Sequence, residues 1–121
     1  TRSNTPLQAL ATLNEPVSLE AARALGRRAM SAEGDDETRL IYAFRLCTGR
    51  KPAARELTVL KTFLSRQTER FSESGAKPWD LAADDPTNPP SLPSGFTPAK
   101  AAAWTALARL LLNLDETITR E

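Results

Sequence analysis

Histidine is absent from this sequence of 121 residues, and cysteine occurs once, at Cys47. The lack of histidine removes the commonest general base and the commonest metal ligand. A single cysteine cannot form a disulfide within the chain, so cysteine usage indicates no redox compartment. Because Cys47 has no histidine to activate it as a nucleophile, the sequence favours a small core residue at this position.

Net charge is also nearly absent, since 16 Lys and Arg residues against 15 Asp and Glu residues leave a formal charge of +1. Nucleic-acid binding usually requires an excess of positive charge, which a net charge of +1 does not provide. No apolar run reaches the roughly 20 residues that a transmembrane helix requires. The hydrophobic share of 40% and the chain length are instead typical of a single globular domain, which we expect over residues 1–121.

An apolar segment at 97–115 is predicted to form the helix at the centre of a bundle. Thr97 is a suitable helix cap, and Pro98 suits the first helical position because that N–H would be unpaired anyway. The segment is apolar around most of the helix circumference, which requires neighbours on several sides. Its inward stripe is predicted to consist of Trp104, Leu107, Ala108 and Leu111, widened by Ala103, Leu110 and Leu114.

Two helices are predicted in the first part of the chain, each with a capping signal at its start. Thr5 and Gln8 form a capping box for a short helix over 6–14. Asn14 caps a second helix over 15–32. The inward face of the second helix is predicted to carry mostly small residues, which permit close approach of a neighbouring helix: Val17, Ala21, Ala24, Leu25 and Ala29.

Two further helices are predicted to form an αα-hairpin in the middle of the chain. The third helix covers 37–48, and Gly49 provides the left-handed residue that commonly ends a helix. The fourth covers 54–73, after a turn at 50–52. Because no stretch shows sustained strand alternation, we predict the all-α class, as a compact bundle of four to five helices.

A change of composition marks residues 75–96 as a long Pro-rich loop or insertion before the central helix. Trp79 is the expected anchor of this loop on the bundle. The loop also contains oxygen ligands of the kind that calcium binds, but their spacing fits no EF-hand loop, so a solvated loop is favoured. These residues are Asp80, Asp84, Asp85 and Asn88.

Basic residues around the predicted 50–52 turn form the main candidate interaction site: Arg45, Arg50, Lys51 and Arg55. They invite comparison with a nucleic-acid-binding hairpin over 39–64, but Glu37 and Glu56 dilute the positive field. In the structural alternative, these side chains satisfy the carbonyls at the end of the third helix and pair with acids. The sequence favours that alternative, and a bidentate ion pair is expected at Arg50.

Three pieces of the sequence carry a resemblance to a known family. They are SNTPLQAL at 3–10 with Leu13-Asn14; AFRLC at 43–47 through Gly49-Arg50 and Pro52 to Glu56-Leu57; and WTALAR at 104–109 through Leu112-Asn113 and Asp115-Glu116. In this order and spacing they resemble the C-terminal half of the DUF1553 family, also called the planctomycete PSD1 domain. One departure is Ala53, where such proteins usually have a capping Ser, Thr or Asp. This change costs about 1 kcal/mol at a helix start.

The resemblance implies a large exported protein of planctomycetes and related bacteria, often with a DUF1549 domain and a cytochrome c-like domain upstream. The family's activity is unassigned, so it implies no catalytic residues. The haem motif C-x-x-C-H is not present around Cys47. Any haem c would therefore belong to an upstream domain. We also expect the chain, which begins at Thr1 without a leader, to be the C-terminal piece of a longer polypeptide.

These observations favour a non-catalytic helical module with no cofactor of its own and no membrane span. Its expected partners are the upstream domains of the same polypeptide, or another protein. Two alternatives stay open. The chain would form one wall of the active site in a larger enzyme, acting on polysaccharide and linked to a cytochrome, or it would bind nucleic acid through the 39–64 hairpin.

Overall fold

The computed structural model of the protein describes residues 15–119, with side chains described for residues 19–114. This range is helical and contains no strand, which confirms the predicted all-α bundle. The helices are α1 (Glu15–Ser31), α2 (Asp36–Thr48), α3 (Ala54–Phe71), α4 (Pro78–Ala82) and α5 (Pro98–Thr119). The predicted helix over 6–14 lies outside the described residues.

Helix α5 is the centre of the bundle and contacts each of the other four helices. Its predicted inward residues Trp104, Leu107 and Leu111 are almost completely buried. Thr105 is buried as well, and its hydroxyl donates to the carbonyl of Ala101 at 2.9 Å, which satisfies the polar group. The prediction of an enclosed central helix is therefore confirmed.

The C-terminal part of α5 differs from the prediction in two details. The helix continues to Thr119 instead of ending near residue 114, because no glycine or proline interrupts the sequence there. Leu114 was predicted to widen the inward stripe but is 38% exposed. The helix start agrees with the prediction, because the backbone N–H of Lys100 donates to Thr97 Oγ1 at 3.1 Å.

Helix α1 packs on α5 through a face that matches the prediction only in part. Leu25 and Ala29 are buried, as predicted. Ala21 and Ala24 are exposed, whereas Ala22 and Gly26 are buried against α5. A Cβ atom added at Gly26 would lie only 3.4 Å from the backbone of Thr105. The stripe of α1 that contains Gly26 is covered by α5, and the glycine allows the backbones of these two helices to approach closely.

Both ends of α2 are capped, and the cap at its C-terminal end is the predicted one. The Asp35 carboxylate accepts a hydrogen bond from the backbone N–H of Thr38 at 2.9 Å, and this bond lowers the pKa of Asp35. Gly49 has a φ of 80°, and its N–H donates to the carbonyl of Arg45 at 2.8 Å. These caps set the boundaries of α2 and the direction of the turn that follows.

The predicted 75–96 loop contains the short helix α4, which packs on α5. Pro78 occupies the first helical turn, where its missing N–H costs no hydrogen bond. Arg23 of α1 holds the end of α4, since its Nε donates to the carbonyl of Leu81 at 2.9 Å. Trp79 is half-buried against the core, so α4 brings the expected anchor residue onto the bundle.

Candidate functional site

Arg50 is the centre of a hydrogen-bonded turn between α2 and α3. Its Nη1 and Nη2 donate to Oε1 and Oε2 of Glu56, both at 2.9 Å, in a bidentate ion pair. Nη1 also donates to the carbonyl of Lys51 at 3.1 Å. The guanidinium carbon lies 5.0 Å from the ring centroid of Phe44, a residue of the buried core. The turn is thereby tied both to α3 and to the core.

Glu56 also forms one half of a capping box at the start of α3. Ala53 has no side-chain acceptor for the free N–H groups at the helix start, but its own N–H donates to Glu56 Oε1 at 2.8 Å. The hydrogen bonds from Arg50 and then from Ala53 lower the pKa of Glu56 from its ordinary value of 4.5 to about 2. The same carboxylate raises the pKa of Arg50.

The other predicted site residues of this region are not brought into the same arrangement. Arg45, Lys51 and Arg55 have exposed side chains, while Arg50 is paired with Glu56. Further along the hairpin, Lys61 forms an ion pair with Glu37 at 3.1 Å. Acidic partners thus compensate part of the positive charge of the hairpin, which favours the structural alternative over nucleic-acid binding.

The outer side of α2 forms a shallow, largely apolar groove, which we call the α2 groove. Leu46 on this side is 42% exposed, whereas Leu40 on the opposite side is completely buried. Helix α2 therefore carries apolar side chains both toward the core and toward the surface. The groove is lined by Thr38, Ile41, Tyr42, Arg45 and Leu46.

Sequence reasoning found Arg45 but missed the groove around it. The sequence did contain a signal for the groove, which was an excess of apolar residues on α2. Its inward stripe is complete without Ile41, Tyr42 and Leu46, so these three residues are additional. A single helix of a small bundle needs only one such stripe to reach the core. The second stripe is therefore the mark of a surface that another element can cover.

A partly enclosed cavity of about 210 Å³ lies between α1, α4, α5 and the segment before α5. We call it the α4 pocket. Its walls are mainly apolar, and Trp79 belongs to them. The lining residues are Arg27, Met30, Ser31, Trp79, Ala82, Pro90, Ser91, Leu92, Pro93, Ala101 and Thr105.

Two of the four oxygen-bearing residues of the loop are engaged by neighbours. Asp84 pairs with Arg23 at 3.4 Å, and Asp85 accepts a hydrogen bond from the hydroxyl of Thr87 at 2.6 Å. Within residues 15–119, no group of three potential His, Cys, Asp or Glu ligands is placed to hold a metal ion. The chain has one cysteine and no histidine, so it does not fit a covalently attached haem.

The same described range contains no helix with the length and apolarity needed to cross a bilayer.

Comparison with known proteins finds a match to a family model. A family model described as PSD1, protein of unknown function (DUF1553), matches residues 1–64. The matched part contains α1, α2, the Arg50 turn and the beginning of α3. No curated protein and no solved structure matches the chain.

Proposed function

Since this chain belongs to the DUF1553 family (PSD1), we propose that it is a non-catalytic helical module that packs on another part of the same polypeptide. The contact surface in this proposal is the α2 groove. The larger polypeptide would be exported, and an upstream domain would carry any haem, as the family resemblance implies.

The observation that carries the proposal is the exposed apolar stripe on α2. Leu46 exposes 42% of its surface beside the half-buried side chains of Ile41 and Tyr42. Contiguous apolar surface of this kind marks protein contacts in well-folded domains. Arg45 borders the stripe and supplies a cation at the rim, where polar residues normally surround an interface.

The groups with shifted pKa values support a structural role. Asp35 caps α2, Arg50 and Glu56 form the turn before α3, and Asp85 is hydrogen-bonded within its own loop. Each shift follows from a local hydrogen bond, and none of these groups lines the α2 groove or the α4 pocket. Their environments stabilise helix ends and turns, which is the function we assign to them.

Hydrogen exchange in the full-length polypeptide tests the proposal. Amides of residues 38–48 should exchange more slowly in the full-length protein than in the 121-residue chain, because the groove is covered there. Amides of residues 101–111 should exchange at similar rates in both proteins, because α5 is already enclosed. Equal exchange of 38–48 in the two proteins would remove the support for the α2 groove as a contact surface.

A matched pair of variants makes this test specific. Leu46→Lys should abolish the extra protection of 38–48 in the full-length protein. Val59→Lys provides the control, because Val59 is 58% exposed on α3 and does not line the groove. The two variants introduce the same charge at exposed apolar positions, so an equal effect would indicate a general change of surface charge instead of a contact at the groove.

A further inference from the structure

The α4 pocket combines an apolar interior with a polar edge. Met30, Ala82 and Ala101 are buried residues that line it, and the half-buried Trp79 contributes an aromatic surface. Ser31 and Ser91 line it with exposed hydroxyl-bearing side chains. Pockets of small-molecule sites share this composition, in which apolar walls supply binding and a few polar groups set the orientation.

Arg27 gives the edge of the pocket a positive charge that is available to a ligand. It is exposed, and it makes no hydrogen bond or ion pair with any described residue. Arg23, one turn earlier on α1, is by contrast committed to the carbonyl of Leu81 and to Asp84. Arg27 and Ser31 are four residues apart on α1, so they lie on the same face of the helix and can contact one anion together.

The size of the cavity limits the ligand. An apolar cavity of about 150 Å³ is sufficient for benzene. The volume of about 210 Å³ therefore accommodates one six-membered ring with a short substituent. The apolar walls favour the ring, and the single free guanidinium favours a substituent with one negative charge.

We propose that the α4 pocket binds a small organic carboxylate that carries one apolar ring. The ring lies against Trp79 and Met30, and the carboxylate lies at Arg27 with the hydroxyl of Ser31. This site shares no residue with the α2 groove, so it goes beyond the proposed contact function and can succeed or fail independently of it.

Phenylacetate is a suitable probe, with phenylacetamide as the neutral probe of the same shape. The chain contains two tryptophans, Trp79 and Trp104, so its indole N–H signals report the pocket and the core separately. Titration of the 121-residue chain with phenylacetate should shift the Trp79 signal saturably, with a Kd on the order of 1 mM. The buried Trp104 signal should not move. Phenylacetamide should bind at least about fivefold more weakly, because it lacks the charge.

Two arginine variants test whether the carboxylate of the ligand contacts Arg27. Arg27→Gln should weaken phenylacetate binding about fivefold and leave phenylacetamide binding unchanged, because it removes only the charged contact. Arg28→Gln is the matched control, since Arg28 is the next residue of α1, is exposed and does not line the pocket. The proposal is overturned if the Trp79 signal shows no saturable shift, if the two probes bind equally, or if Arg28→Gln has the same effect as Arg27→Gln.

Discussion

Leu107 of α5 and Leu46 of α2 are the same residue type on two helices of one bundle, yet they have opposite environments. Leu107 is 0% exposed, and Leu46 is 42% exposed. Helix α5 is covered on several sides by its neighbours, whereas α2 is covered on one side and carries a second apolar stripe on the other. The difference shows that an apolar stripe does not by itself tell whether the fold covers it.

Helix α1 shows the same contrast within a single element. Its stripe with Ala22 and Gly26 is packed against α5, while Ala21 and Ala24 face outward. The buried stripe also carries the larger Leu25 and Met30, and its glycine lies where the backbone of α5 approaches closely. Larger apolar side chains and close approach together distinguish the stripe of α1 that becomes core.

The largest effect should come from truncating the enclosed leucine. Leu107→Ala should reduce the free energy of unfolding by about 3 kcal/mol, because it removes buried methyl groups and leaves a cavity. Leu46→Ala should change it by less than about 0.5 kcal/mol in the 121-residue chain, as is usual for exposed positions. Urea unfolding of both variants measures the difference. An equal loss of unfolding free energy in the two variants would contradict the different environments of the two leucines.

A second test compares the two stripes of α1. Gly26→Leu should destabilise the chain by about 2 kcal/mol, because its side chain would meet the backbone of α5, which cannot rotate away as a side chain can. Ala24→Leu places the same side chain on the exposed stripe and should be nearly neutral. Thermal unfolding distinguishes them, and a tolerated Gly26→Leu would show that the close contact of α1 and α5 is not required.

A third test concerns the attachment of α4. Arg23→Gln should cost about 1 kcal/mol, since it removes the charged donor to the carbonyl of Leu81. The loss should be local, with faster hydrogen exchange over 78–83 than in the unchanged chain. Arg66→Gln on the exposed side of α3 is the control. Unchanged exchange over 78–83 would indicate that packing alone holds α4.

The smallest effect is expected at the Arg50 turn and depends on pH. The pKa of Glu56 is about 2 in the folded chain and close to 4.5 when its partners are lost. As the pH falls, the Glu56 carboxylate is therefore protonated in the unfolded chain before it is protonated in the folded chain. The stabilisation by the carboxylate is complete above pH 4.5 and is lost as the pH falls toward 2.

Glu56→Gln measures that contribution. It should reduce the free energy of unfolding at pH 7 by no more than about 1 kcal/mol, because solvent screens this half-exposed ion pair. The difference from the unchanged chain should disappear near pH 2. Glu73→Gln is the control, because it removes an exposed carboxylate that takes no part in the Arg50 turn. A Glu56→Gln effect that is constant with pH would contradict the ion-pair explanation.

The parts of the fold that follow from local chemistry could be predicted from the sequence. Asp35, Gly49 and Thr97 occupy cap positions whose side chains or backbone conformation are specific to helix ends. A bidentate pair was also expected at Arg50, because a fixed turn beside a buried hairpin suits a structural arginine, and the structure gives Glu56 as its partner. Signals of this kind can be interpreted from residues that are close together in the sequence.

The parts that depend on distant neighbours could not be predicted in the same way. The covered stripe of α1 depends on where the backbone of α5 passes Gly26, which no local pattern reveals. Helix α4 has five residues, too few for a periodic pattern. The α2 groove was missed because the excess of apolar residues on α2 does not tell which of them the other helices cover. The exposure of Leu46 becomes visible only when those helices are in place.

The most direct test of the contrast is the solvent accessibility of the Leu46 and Leu107 methyl groups, measured by NMR with a soluble paramagnetic agent. In the 121-residue chain, the account predicts strong broadening of the Leu46 signal and none of the Leu107 signal. In the full-length polypeptide it predicts that both are shielded, because the α2 groove is covered. Broadening of Leu46 to the same extent in both proteins would contradict the account.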